Sequence, residues 1–450
     1  MLGAQLMIIL DATVVNIALP HIQTGLHFSA TSLSWVMNGY TLTFGGLLLL
    51  GGRAGDILGR RRMFMAGIVI FTLASPAVLA LVVSGFSEGK ERIKALAIYS
   101  AVVTGGSSLG LVLGGMITQW ANWRWVLFIN VPIGIAVTVL TPLFVAETPR
   151  QPGRFDLPGA VTSTAGVAAL VYAFIRAASN GWGDHLAIAA FAAGAVLLVA
   201  FVLNERRAPQ PITPLRRFAS AGRSGAVVAR LLRVGGMFGM FFFLTQFLQD
   251  VLGFGALTTG IAFLPMTALL FGVSRLAPRL IPRVGGYRLM VIGMVPVVIG
   301  MAWLSRVSPE TGYWSGVFGP MVLVGGGMGL VFVPLTTTSL AGVRPEESGA
   351  ASSMVNVMQQ LGGSVGLAVL VAVFGTATRD SLAHPVAGLS ATAFHARVLA
   401  HGMSTAFALA AIFDLAALVV MAVLLRDRKP KVPDTPADLD EEIEATAIGD

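Results

Sequence analysis

"MIILDATVVNIALP", residues 7–20, places one carboxylate, Asp11, in an otherwise apolar run where nothing nearby in sequence can solvate it. The run is the first of a series. Over 450 residues the chain is 55% hydrophobic and 12% charged, with a mean hydropathy of +0.79. Soluble globular domains hold roughly 45–50% apolar and about 25% charged residues. Apolar runs of about 18–25 residues recur along the chain, each long enough as a helix to cross a hydrocarbon core of roughly 30 Å. Helices satisfy their own backbone polar groups, as lipid demands. The fold class is therefore all-α and polytopic. The opening run has no basic leader and no small-residue cleavage site, so it reads as a retained first helix with Met1 already inside the span.

Several chemistries are excluded by composition. Cysteine is absent, which removes disulfides and thiolate metal sites. Six scattered histidines form no pair on one helical face, so neither a metal nor another cofactor is expected. "GFSEGKE" imitates a phosphate loop one residue too short, with Glu91 where a magnesium-binding hydroxyl belongs, and supports no nucleotide-driven pump. The net charge of +8 combines a tail of −5 over residues 427–450 with +13 elsewhere. Those positives sit mostly in short loops between spans, which is the signature of membrane topology and not of nucleic acid binding.

Candidate spans cover residues 2–20, 31–51, 64–86, 95–118, 125–146, 158–177, 186–203, 232–252, 256–276, 288–305, 312–335, 351–376 and 401–425. Basic clusters at Arg53 and Arg60 to Arg62, Lys90 to Lys94, Arg150 and Arg154, Arg206 to Arg223, Arg275 to Arg288 and Arg426 to Lys431 should all face the cytoplasm. One crossing by residues 64–86 would instead put Lys90, Arg92 and Lys94 outside. The charge rule and the crossing count disagree at that one place, around "LASPAVLAL".

"LDATVVNIALP", "GRAGDILGRRR", "GGSSLGLVLGGMI" followed by "WRWVLFINVPIG", "FDLPG" and "ESGAASSMVNVMQQLGGSVGLAVL" together resemble the fourteen-helix drug:proton antiporter family of the major facilitator superfamily, from residue 1 to about 426. The resemblance implies two six-helix bundles with two extra helices between them: a first bundle over 1–146, two linker helices over 147–203, a cytoplasmic linker over 204–231, a second bundle over 232–426 and an acidic disordered tail. It implies a multi-pass protein of the inner or plasma membrane that exports lipophilic or cationic small molecules in exchange for protons. Its partners would be substrate, protons and membrane lipid, and the sequence names no adaptor protein. Two departures matter. The fourth-helix RxxQGxG string is missing, as if about one helix had been deleted at Ser75 and Pro76, and Leu111 stands where the family has proline.

Asp11 lies about 15 Å into its helix, near the bilayer midplane. An ionised carboxylate there costs at least a few kcal/mol. It reads either as a proton carrier or as a structural acid bonded to a neighbouring helix. Without the family's fourth-helix cation, burial should keep it protonated, so weak proton coupling is expected unless another cation substitutes. In "GRAGDILGRRR", Gly52 and Gly59 allow close helix ends while Asp56 pairs with Arg60 or Arg61 or caps the next helix. This reads as a cytoplasmic latch, or as a basic anchor that sets orientation. Gly106, Gly110 and Gly114 recur every four residues, with Gly115 beside them: a packing stripe that the resemblance makes an export motif. Asn38, Tyr40, Gln246, Gln249, Asn356 and Gln360 are candidates for a substrate cavity or for interhelical hydrogen bonds. Asp414, in the last span, reads as a structural or snorkelling acid. "FGMFFFLTQFLQ" offers a lipophilic surface, or simply core packing.

Overall fold

The structure is a computed structural model and describes residues 2–70, 106, 109–144, 156–208, 221–339, 348–385 and 388–425. The described residues form helices and their connections. In chain order these are α1 (Leu2–Leu26), α2 (Ser34–Leu58), α3 (Arg60–Ile70), α4 (Leu109–Trp120), α5 (Asn130–Phe144), α6 (Leu157–Asn180) and α7 (His185–Arg207). Then follow α8 (Ala221–Gln246), α9 (Ala256–Val284), α10 (Gly286–Leu304), α11 (Phe318–Ser339), α12 (Ser348–Ala383) and α13 (Ala391–Leu424). Wide π turns extend α8 through Phe247–Val251 and precede α11 at Tyr313–Val317. The expected span at 64–86 beyond Ile70, the basic group Lys90 to Lys94 and the suspected junction at Ser75 and Pro76 lie outside the described residues.

Local chemistry sets the helix boundaries. Asp156 caps α6 by accepting from the Gly159 N–H at 2.9 Å, with Pro158 in the first turn. Asp184 does the same for α7 through Ala187 at 2.9 Å, and Ser390 for α13 through Ala393 at 3.2 Å. Two boundaries differ from the sequence reading. The stretch "GRAGDILGRRR", expected as a loop, is helical except at Gly59, whose φ of +103° reverses the chain in one residue while its N–H bonds Gly55 O. A side chain would strain that conformation. The linker expected over 204–231 is also shorter. α7 runs to Arg207, and α8 starts at Ala221, because arginine-bearing segments propagate helix well even past the apolar window that hydropathy detects.

The second bundle, α8–α13, is tightly packed. α8 is its centre, lying against α12 and α13, while α10 packs on α11 and α13 and α9 packs on α11. Phe242, Phe243, Phe247, Phe374 and Phe407 are fully buried, with the Phe243 ring 5.2 Å from that of Phe374. "FGMFFFLTQFLQ" is therefore mainly core. α8 and α12 approach backbone to backbone: a Cβ built on Gly366 would collide with Gly235, and one on Gly235 would sit 3.0 Å from the Gly366 Cα. Small residues allow this contact, and in lipid such packing replaces the missing hydrophobic drive between helices.

α6 and α7 form a hairpin tied at both ends. Asn204 Nδ2 donates to both Asp156 oxygens, at 2.9 and 3.0 Å, and Arg176 grips Asp184 through two nitrogens, at 2.7 and 3.2 Å. α7 packs chiefly on α6 and turns Val196, Val199 and Leu203 outward, as a lipid-facing helix does. α6 touches both α2 and α12, so the hairpin covers a line where the bundles meet.

Candidate functional site

The bundles meet along a seam formed by α1, α2 and α4 on one side and α8, α9 and α12 on the other. Buried polar residues concentrate there. Asn38 on α2 is fully buried, and its Oδ1 accepts from Ser364 Oγ on α12 at 3.1 Å. One helical step deeper, the Gln360 side chain on α12 lies over Gly45, where a Cβ would come within 3.0 Å. Asn356 stands a turn before Gln360 on α12, and Tyr40 is half-buried on α2. Gln249, in the π turn that ends α8, donates to the Ile17 carbonyl of α1 at 3.0 Å. Gln246 instead bonds its own helix at Phe242 O, 3.1 Å away.

Asn38, Gln249 and Gln360 are thus brought to the seam, and Gln246 turns back on α8. Among the described residues, Asn38 Nδ2, Asn16 Oδ1 on α1 and Thr245 Oγ1 on α8 are buried with no hydrogen-bond partner. Buried amide and hydroxyl groups cost about 1–3 kcal/mol each when unsatisfied, so these atoms are open to a polar guest. Asn16, Thr245 and Ser364 were missed by the sequence reading. Asn16 carries a weak signal, an amide five residues after Asp11, but a hydroxyl in a helix carries none.

The glycine stripe has two partners. Gly114 meets α1, where a Cβ would lie 2.8 Å from the Val14 Cα, and Gly115 meets α9, 2.7 Å from the Ala256 carbonyl oxygen. Gly106 and Gly110 are buried. Leu111 is fully buried, and Gly260 of α9 presses on its carbonyl. Gln119 Oε1 accepts from Leu257 N at 3.0 Å at the end of the same contact. Together with Thr31–Ser179 at 2.9 Å and the Arg379 bond to Ala178 O, these contacts hold the ends that the charge rule places outside the cell.

Asp11, Asp56 and Arg60 fall on α1, α2 and α3. Their side chains, and the surroundings of Gly52, lie outside the described residues. Arg61 is half-buried at the start of α3, just after the Gly59 turn. Asp414 corrects the snorkelling reading: it is 2% exposed, deep in the second bundle. Among the described residues no group of three or more His, Asp or Glu is gathered in a way that would hold a metal ion.

Eight of the described helices are long and apolar enough to cross a bilayer. With two bundles joined at a polar seam, this defines a multi-pass helical membrane transporter. The chain belongs to the Major Facilitator Superfamily, whose family model matches residues 1–88 and 72–367. It is 39% identical to the puromycin resistance protein pur8 of Streptomyces alboniger, over 96% of this chain and 92% of that one. It is 36% identical to the cephamycin export protein CmcT of Amycolatopsis lactamdurans, over 94% and 90%. The fold aligns with that of an auto-inhibited POT family peptide transporter at a TM-score of 0.62 and 15% identity, over 95% of this chain and 96% of that one. It also aligns with that of the human organic anion transporter MFSD10 at 0.60 and 14%, over 93% and 98%. The chain is a cell-membrane protein of this transporter superfamily.

Proposed function

We propose that this protein exports lipophilic or cationic drug-like molecules in exchange for protons, by rocking two bundles about the seam. The observation that carries the reading is the set of unpartnered buried polar atoms on α1, α2 and α8, because a binding cavity needs a few placed polar groups in apolar walls. Relatives named for puromycin resistance and cephamycin export point to substrates of this kind. Asn38, Gln360 and Gln249 contribute polar contacts, while Asp11 takes a proton from one side and gives it up to the other. The contacts at the external ends favour a state open to the cytoplasm, in which substrate is loaded. Asp56, Arg60 and Arg61 form the latch that closes the cytoplasmic side in the opposite state, with Gly52 and Gly59 giving its backbone room.

A second reading has its own observation. The family model aligns in two pieces that overlap over residues 72–88, as expected if a segment holding most of one helix is absent there. On that reading the chain is a transport-impaired remnant or a sensor. Proteoliposomes decide between them. Addition of puromycin should drive proton movement in the wild type and markedly less in Asp11→Asn. If puromycin equilibrates with no proton movement, the protein is an uncoupled transporter; if it does not cross at all, the remnant reading stands.

A further inference from the structure

Asp414 sits on α13 where that helix packs against α8, α10 and α12. Across the interface on α8 is Arg233, 7% exposed, and the two charges act on each other. Arg233 stands one turn before Gly236, the α8 residue nearest the carboxylate; no hydrogen bond joins the two groups, and Asp414 Oδ1 has no partner among the described residues. Room for the carboxylate comes from Gly236, where a Cβ would already stand 3.4 Å from Asp414 Oδ2. Among the described residues, the other ionisable groups on the elements packed against α13 lie elsewhere. Arg230 of α8 is directed to Thr336 at 3.4 Å, and Asp250 is at the far end of α8 in the π turn. Tyr287 of α10 bonds Ala422 O at 3.0 Å, two turns along, with Arg288 beside it, and Arg379 and Asp380 are near the opposite end of α12. On α13 itself, His395, Arg397 and His401 lie more than three turns away.

A buried ion pair kept for stability needs close geometry and satisfied lone pairs, since otherwise apolar residues of similar size do as well or better. This pair has neither. An acid and a cation that share a buried space without touching suit a group whose charge changes during work. We propose that Asp414 is a second proton-exchanging carboxylate, with Arg233 as its counter-cation. A proton from external water forms the O–H bond on Asp414. Its release to the cytoplasm breaks that bond, and the guanidinium then neutralises the carboxylate and draws α8 toward α13. No electrons are transferred.

The inference deepens the antiport reading and rests on it for its role in transport, yet the titration itself is measurable without substrate. Infrared difference spectra of the full chain in lipid should show a protonated-carboxyl stretch that is lost as pH is raised. The band should be absent in Asp414→Asn, retained in Asp11→Asn, and displaced in pH by Arg233→Met. An unchanged pH-difference spectrum in Asp414→Asn overturns the proposal. If that variant does not fold, Arg233→Met with Asp414→Leu keeps the site neutral and serves in its place. Loss of the band and of about half the protons moved per puromycin in this double variant supports the proposal, and wild-type stoichiometry overturns it. Failure of the antiport reading looks different: the wild type moves no protons with substrate while the band persists.

Discussion

The two bundles place intramembrane charge differently. In the second, Asp414 and Arg233 are both buried, on the packed helices α13 and α8, in a framework held by direct backbone contact between α8 and α12. In the first, Asp11 stands in α1 of a chain that lacks the arginine-bearing fourth-helix string its family resemblance leads one to expect. A buried acid is tolerable with an opposite charge, with water, or with a proton. The second bundle sets a buried cation on the helix packed against its acid without bonding it. For Asp11 the sequence offers no such cation in the expected fourth-helix string.

That contrast can be broken most sharply at Asp11. Asp11→Asn should remove about half or more of the protons moved per puromycin while leaving the carboxyl band of the second bundle in place; undiminished movement would move the coupling to α13. Packing is the next largest effect. Gly366→Leu pushes into Gly235 and should destabilise the second bundle by about 1–3 kcal/mol, seen as a lower melting temperature in detergent. Gly326→Leu, at a position with nothing within 4 Å of a built Cβ, should change melting little.

Weaker still, Gln249→Leu removes the bond to Ile17 and should cost about 0.5–1.5 kcal/mol. Because that bond ties the bundles at their outer ends, the variant should favour external opening. Cysteines placed at Thr31 and Ser179, in a chain with none of its own, should then crosslink more slowly.

The smallest effect belongs to the hairpin. The Arg176 side chain, and then the Ala187 N–H, hold Asp184 below its ordinary value of 3.8. A carboxyl whose folded value is depressed stabilises the fold fully above its unfolded value, and that contribution fades as pH falls through the lowered one. Asp184→Asn should therefore flatten the acid side of the melting profile below about pH 4 and leave neutral export intact.

The membrane class and the family were legible because apolar length, loop charge and motif spacing are local properties. Asp11, the Gly106 to Gly115 stripe and the polar pairs could be picked out for the same reason: each breaks a local pattern. Which of them meet was not legible. Gln246 and Gln249 share almost one face, yet one bonds its own helix and the other reaches α1, because a π turn rotates the helix between them. Ser364 carries no signal in the sequence, and only the approach of α2 pairs it with Asn38.

By itself, then, the sequence determined that this chain lives in a bilayer, how many times its apolar runs recur, and where a lone acid interrupts them. Those follow from transfer free energies summed along one helix. Only the tertiary structure decided that Arg233, at the start of the span expected over 232–252, is buried on the helix packed against that of Asp414, and that Gly236 leaves room for the carboxylate. Partnership across 181 positions of chain depends on how helices cross, and no local pattern carries that information.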